Sequence, residues 1–357
     1  MFSTEVAVFK TASENLLIIV DKEVFSLLNI TQYDKPFLSY QELISLMESR
    51  NIIIPDHNFA KQALSNISYY TLVNGYKNIF PIDEHTEKFI YPIDFNELYT
   101  LHLVDASLNS LLLKNILIIE HSLKSKISYV VSKNYGVYTN TEDMTNQTNG
   151  DYLNRRNYNN SSVRNNILRA LKNSLTNDQR NNIVRHYEET KNHIPPWILT
   201  TTIPFGLSIK WYNILKSNDK EYVCNAFIPN SQLPVEKKKE FLSQSLKLLR
   251  EYRNIIAHGN RTFSTSMNSI VPKYPLLFLT NNLLSEAEYN AGIGQKDLAA
   301  IILILIILLN DRYMASNFIN DLEYIFHPYC DITFAGKTIF EVFGLPDDFF
   351  ERIGNLV

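Results

Sequence analysis

The sequence has few of the residues that break or cross-link a chain. Its 357 residues include only 10 glycines and 13 prolines, and long stretches carry no turn signal. Because an all-β fold needs many turns, this shortage favours helices. The two cysteines, Cys224 and Cys330, lie in no CxxC or Cys/His ligand spacing. That argues against a disulfide scaffold and a structural zinc site, and it is typical of a protein in the reducing cytoplasm.

An excess of one charge and a long apolar run are lacking as well. The formal net charge is -3, so binding to a polyanion would require local segregation of charge. The N-terminus lacks the basic-then-apolar pattern of a signal peptide. The most apolar run, Leu298–Leu309, is shorter than the roughly 20 residues that span a bilayer. We therefore expect a buried core helix there and no membrane partner.

Helix-start signals predict a small helical unit over residues 35–93. Ser39 is followed three residues later by Glu42, which is the spacing of a capping box. Asp56 is a plausible N-cap for a second helix. The preceding residues 1–34 form an N-terminal extension whose pattern assigns no structure.

Apolar residues recur at three and four positions from residue 94 to 135, as one or two amphipathic helices require, and Gly136 is a natural stop. Residues 139–162 are rich in Asn, Thr and Ser and predict a long polar loop. Further helical patterns cover residues 162–190, 197–216, 235–257 and 295–327. We therefore predict an all-α fold, with a helical core over residues 94–327 and a short tail over 328–357.

One face of the predicted helix that ends near residue 257 carries candidate catalytic groups. Its apolar side consists of Ser245, Leu249, Tyr252 and Ile256. Its other side carries Arg250, Asn254, His258 and Arg261, at spacings of four, four and three.

Such a set suits RNA cleavage without a metal, which needs a base for the 2′-OH, an acid for the 5′-oxygen, and cations around the phosphate. His258 can serve as base or acid near neutral pH, and arginine holds phosphate oxygens bidentately. Asn254 would orient the imidazole or contact the phosphate. A solvated basic helix face explains the same spacing, since an arginine five residues before one of eight histidines arises easily by chance.

Two further groups of residues are candidates for RNA contact. Residues 155–185 contain a single acid, Asp178, and many cations, with Tyr152 and Tyr158 nearby. The cations are Arg155, Arg156, Arg164, Arg169, Lys172, Arg180 and Arg185. They predict a surface that follows phosphates, although a solvated helix face beside a flexible loop is the alternative. The tyrosines Tyr69, Tyr70 and Tyr76 would stack on unpaired bases or, alternatively, pack the small helical unit.

The segment from Arg253 to His258 resembles the Arg-x4-6-His signature of HEPN ribonucleases. More specifically, the chain is similar to the bacterial abortive-infection proteins of the AbiF/AbiD group over roughly residues 35–350. The matching pieces, in order, are Lys35 to Tyr40, Asn66 to Tyr70, Gly75-Tyr76 with Phe80, Ile119-Glu120 with Lys124, Tyr135-Gly136, Pro195 to Trp197, Phe205-Gly206, Trp211-Tyr212, and Phe343 to Phe349. The chain departs from the group at Thr71, at His121 and Lys124, and at residues 259–263.

The resemblance implies a HEPN-like helical bundle that dimerises, so that two Arg/His sets form one composite cleft. It implies a metal-independent endoribonuclease toxin of phage defence, without a cofactor, acting on RNA and restrained by a structured small RNA. Arg253, Asn254 and His258 would be catalytic. Glu120 would orient Arg253 or, alternatively, form a surface ion pair, with Arg250 and Arg261 as further support. The alternatives are a HEPN-fold module that binds RNA or a protein partner without cutting, and a structural helical dimer.

Overall fold

The structure is a computed structural model. It describes residues 6–9 and 18–21 as backbone, and residues 35–356 except 77–78, 84, 177–181, 230, 258, 260 and 263–266. The protein is all-α, as predicted. Its helices are α1 (Tyr40–Ser49), α2 (His57–Asn66), α3 (Tyr69–Leu72), α4 (Phe95–Tyr135), α5 (Arg164–Thr176), α6 (Asn182–Thr190), α7 (Pro196–Thr202), α8 (Phe205–Ile214), α9 (Ser217–Phe227), α10 (Val235–Ala257), α11 (Lys273–Leu279), α12 (Glu286–Asn290), α13 (Leu298–Leu309), α14 (Arg312–Phe326), α15 (Ile339–Phe343) and α16 (Phe349–Gly354).

The strands are short and form three two-stranded pairs in the described part of the chain. They are β1 (Val6–Phe9), β2 (Ile18–Asp21), β3 (Ile52–Ile53), β4 (Ile93–Asp94), β5 (Thr333–Phe334) and β6 (Lys337–Thr338). The pairs β1–β2 and β5–β6 are antiparallel, and β3 pairs with β4 in parallel. The β3–β4 pair joins the turn after α1 to the start of α4.

Both predicted helix starts in the small N-terminal unit are confirmed. Ser39 and Glu42 form the capping box that begins α1. Asp56 begins α2, because its Oδ1 accepts the backbone N–H of Asn58 at 2.8 Å. The apolar sides of α1 and α2 face each other and are buried. These caps satisfy backbone donors that a short helix otherwise leaves to water.

The central element is α4, a single helix of 41 residues where the pattern allowed one or two. It begins at the N-cap Asp94 and ends at Gly136, whose φ of 84° is a conformation that favours glycine. Its buried stripe contacts α7, α9, α10, α13 and α14. By length and composition, α4 alone among the described helices could cross a membrane. That is weak evidence for a span, since the central helix of a bundle passes the same test.

The apolar helix α13 is buried on nearly all sides, which confirms the predicted core helix. The predicted helical stretch 295–327 is nevertheless two helices, because Asn310 adopts a left-handed φ of 49° and separates α13 from α14. The stretch 197–216 is likewise divided, with Pro204 as the N-cap of α8. The C-terminal residues after α14 are packed rather than extended, since Phe326 contacts Phe340 with ring centroids 5.9 Å apart. Buried residues from α1 to α16 form one continuous hydrophobic cluster.

Candidate active site

The helix that carries the motif, α10, lies where the sequence places it and buries the predicted face. Ser245, Leu249 and Tyr252 are fully buried and Ile256 is nearly so. This apolar stripe fixes the rotation of α10 against the core. The other side of its last two turns is therefore left to polar side chains.

Arg253 has an unusual environment for a partly buried cation. Its Nη1 donates a hydrogen bond to Asn254 Oδ1 at 3.2 Å, and its Nε is buried without a hydrogen-bond acceptor in the described part of the chain. No carboxylate of a described residue lies within ion-pair distance of it. A guanidinium that lacks an acid has its fork of donors available for phosphate oxygens.

Arg250, one turn before Asn254, lies across the first turn of α8. A Cβ built on Gly206 would come within 2.7 Å of Arg250 Nε, so the glycine gives the side chain its room. The neighbouring acid, Glu251, is occupied elsewhere: its carboxylate accepts the hydroxyl of Ser269 at 2.7 Å and the backbone N–H of Asn268 at 2.9 Å. Arg250 and Arg253 thus lie on the outer side of α10 without a direct acidic partner among the described residues.

α10 ends before the last predicted member of its polar face. Gly259 has φ of 75° and donates its N–H to Ile256 O at 3.0 Å, which closes the helix. The prediction that Arg261 shares a helical face with Arg250 and Asn254 is therefore wrong. Arg261 turns instead to the N-terminal unit, where its Nη2 donates to Thr71 O. His258, the remaining candidate, lies outside the described residues.

A comparison with known families decides the relationship. The model of the Abi-like proteins matches residues 62–264, more than half of the chain, and the match includes α4, α8 and the whole motif. The chain belongs to the Abi-like protein family. This membership supports a role in abortive infection, a form of phage defence. Searches of the curated proteins and of the solved structures return no match.

Glu120 of the Abi-like protein does not make the expected contact with Arg253. It is buried on α4, and its Oε1 accepts a hydrogen bond from Lys124 at 2.7 Å, one turn along the same helix. The part of α4 that lies near the segment after α10 is the part around Asp105, because Asp105 accepts a hydrogen bond from Thr262. Fifteen residues of helix, about 22 Å, separate Asp105 from Glu120. The ion pair that was the alternative is the one observed, although it is buried rather than on the surface.

A polar network that the sequence reasoning missed holds the segment after the motif. The backbone N–H of Thr262 donates to Asp105 Oδ1 at 3.0 Å, and its hydroxyl donates to Asn109 Oδ1 at 2.5 Å. Burial raises the pKa of Asp105 to about 6, although the Thr262 bonds oppose this shift. A sequence signal existed, because Asp105 falls within the apolar stripe of α4, between Leu101 and Leu108.

The predicted phosphate-tracking segment contains one clear error. Lys172 is fully buried, and its Nζ binds Asp151 Oδ2 at 2.8 Å and Asp143 O at 2.7 Å. It holds the polar segment 139–162 against α5, so it is not available to RNA. Tyr152 and Tyr158 are buried as well and cannot stack on bases. A polar composition here accompanies a packed segment, not a flexible loop.

The arginines of this segment differ in their exposure. Arg156, Arg169 and Arg185 are exposed, whereas Arg155 and Arg164 are partly buried. Arg155 donates to Gln147 Oε1 at 3.2 Å, and Arg164 donates to Asn165 Oδ1 at 3.4 Å. Arg180 lies outside the described residues. The exposed three remain candidates for contact with phosphates.

The two tyrosines of the N-terminal unit also differ. Tyr69 is partly buried, and its hydroxyl accepts a hydrogen bond from Arg50 Nη1 at 2.6 Å. Tyr70 is 72% exposed. Both line a cavity of about 440 Å³ together with Lys35 and Arg50. Tyr76, the third, is fully buried and packs the unit. Packing thus accounts for Tyr76, and only Tyr70 offers a broad open face.

Proposed function

We propose that this Abi-like protein is a metal-independent endoribonuclease of the HEPN type that acts in abortive infection. The observation that carries the proposal is the state of Arg253. Its guanidinium is partly buried, has an unpartnered Nε and lacks a carboxylate within ion-pair distance in the described structure. It lies five residues before His258. A guanidinium without an acid keeps its planar fork of donors for a phosphate group, as a catalytic arginine requires.

The reaction gives roles to the side chains of the motif and to Arg250. His258 removes the ribose 2′-OH proton or protonates the 5′-oxygen, because imidazole titrates near neutral pH. Arg253 and Arg250 stabilise the charge that grows on the phosphorane. Asn254 accepts the hydrogen bond of Arg253, so we assign it to holding the guanidinium rather than the imidazole.

One chain supplies a single motif histidine, whereas the reaction needs both a base and an acid. We therefore propose a homodimer in which two motifs face one scissile phosphate. The exposed Arg156, Arg169 and Arg185 would follow the RNA backbone, and Tyr70 would stack on an unpaired base. A structured small RNA that occupies the same cleft would restrain the enzyme in the cytoplasm.

The test is incubation of the purified protein with total RNA in EDTA. We expect cleavage by the wild type and its loss in His258→Ala, with the circular dichroism spectrum unchanged. His85→Ala is the matched control, since His85 is an exposed histidine outside the motif. RNA that co-purifies but stays intact would favour a binding module, and a protein that neither binds nor cuts RNA would favour a structural role.

A further inference from the structure

Arg261 connects the segment that follows α10 to the N-terminal unit. It lies three residues after His258 in the chain, yet its guanidinium reaches residues about 190 positions earlier. Its Nη2 donates to Thr71 O, and its Cζ lies 4.8 Å from the ring centroid of Tyr76. Cation–π contact with a buried ring and a hydrogen bond to a carbonyl together fix both the place and the plane of the guanidinium.

Gly75 leaves the space that this guanidinium fills. A Cβ at Gly75 would overlap the Arg261 guanidinium group, while Gly75 itself has no positive φ. The backbone there is one that alanine adopts without strain. The glycine thus serves to admit the arginine, and its replacement would displace only the far end of a flexible side chain.

The next residue of the segment is held from a different direction. Thr262 is bound through its N–H to Asp105 and through its hydroxyl to Asn109, both on α4. Gly259 is held by the end of α10. Among the described residues of this segment, Arg261 therefore provides the contacts with the N-terminal unit, and Thr262 provides the contacts with α4.

We propose that Arg261 is a positioning residue through which the N-terminal unit sets the place of the segment that carries His258. The inference rests on the proposed function insofar as His258 is the acid or base of the reaction. Catalysis is sensitive to such positioning, since a misplacement of about 1 Å costs on the order of a hundredfold in rate. The N-terminal unit would then influence cleavage without touching the scissile phosphate.

The decisive experiment perturbs this link from both ends. Gly75→Ala and Arg261→Ala are each expected to lower kcat by about tenfold to a hundredfold, while KM changes by less than about twofold. Because both substitutions disrupt the same interaction, between Arg261 and the N-terminal unit, kcat of the double variant should be no lower than kcat of the slower single variant. Arg261→Lys, which keeps the charge but not the planar fork, should recover part of kcat. Gly354→Ala, at a helical glycine with open space around it, is the matched control.

Hydrogen exchange provides a readout that does not depend on cleavage. A peptide spanning residues 255–262 should exchange faster in Gly75→Ala and Arg261→Ala than in the wild type, at unchanged thermal unfolding temperature. If the two variants exchange faster but the wild-type protein cuts no RNA, the proposed nuclease activity is overturned and the positioning role of Arg261 is retained. If both variants keep the exchange rate and the kcat of the wild type, the positioning role is overturned. It is also overturned if the effects of the two substitutions on kcat are additive in the double variant.

Discussion

Lys172 and Arg253 are both cations shielded from solvent, but only Lys172 has an acidic partner among the described residues. Lys172 is fully buried and bound to the equally buried carboxylate of Asp151 at 2.8 Å. Arg253 is partly buried, hydrogen-bonded only to a neutral amide, and retains a buried Nε without an acceptor in the described structure. One charge is neutralised inside the fold, and the other has no acidic partner among the described residues.

The difference teaches that charge density along a sequence does not identify a binding surface. Lys172 belonged to a run of cations, whereas Arg253 is one cation on an amphipathic helix. What separates them is the position of the nearest acid, because a buried charge without a partner destabilises a fold. Charged side chains without a protein partner are found at sites where they bind a ligand, as at catalytic sites.

The largest effect that we expect is a loss of RNA cleavage in the Arg253→Ala variant. Loss of the guanidinium should lower kcat/KM by about a thousandfold, which is about 4 kcal/mol of transition-state stabilisation. The free energy of unfolding should change by less than about 1 kcal/mol, since no ion pair is broken. Single-turnover cleavage assays and urea titrations measure the two quantities.

The exposed Arg312 offers the matched control, and Arg312→Ala should leave cleavage unchanged. A large loss of stability in Arg253→Ala with wild-type cleavage would show that Arg253 is structural.

Lys172→Met should have the opposite profile. It leaves the buried Asp151 carboxylate without its cation, so we expect a loss of about 3–4 kcal/mol in the free energy of unfolding. Cleavage by the fraction that remains folded should be unchanged. The measurement is urea unfolding followed by circular dichroism.

The control is Lys237→Met, because Lys237 forms an ion pair of the same 2.8 Å length with Glu240 at the surface. That variant should lose less than about 1 kcal/mol. Equal losses in the two variants would contradict the distinction between the buried and the exposed pair.

Asp105→Asn is expected to give a smaller effect that depends on pH. The pKa of Asp105 is raised by burial from 3.8 to about 6, so ionisation destabilises the folded state as pH rises between these values. Asparagine keeps the oxygen that accepts the Thr262 N–H. The variant should therefore be more stable than the wild type above pH 6, by about 2–3 kcal/mol, and equally stable below about pH 4.

Urea titrations at pH 4, 5 and 7 measure this gain. Asp321→Asn, at a half-exposed carboxylate that pairs with Lys114, should show no comparable gain. A loss of stability at pH 7 in Asp105→Asn would mean that the ionised form is stabilised, and the charge of Arg261, which lowers the pKa of Asp105, is a source of that stabilisation.

The parts of the structure that the sequence predicts well are those set by local contacts. The capping residues Ser39 and Asp56, the stop at Gly136 and the extent of α10 depend on neighbours within a few residues. The partners of Lys172 and Arg261 lie 21 and 190 residues away, so no local pattern reports them. The helical face that placed Arg261 beside Asn254 failed at one local feature, the turn at Gly259.

The most direct test of the central claim measures cleavage of an RNA oligonucleotide and of its 2′-O-methyl counterpart of the same sequence. Both are incubated in EDTA with the wild-type protein and with the His258→Ala variant. If Arg253 and His258 drive attack by the ribose 2′-OH, the wild type should cut only the unmodified RNA and leave a 2′,3′-cyclic phosphate, and His258→Ala should cut neither. Cleavage of both oligonucleotides, or undiminished cleavage by His258→Ala, would contradict the account.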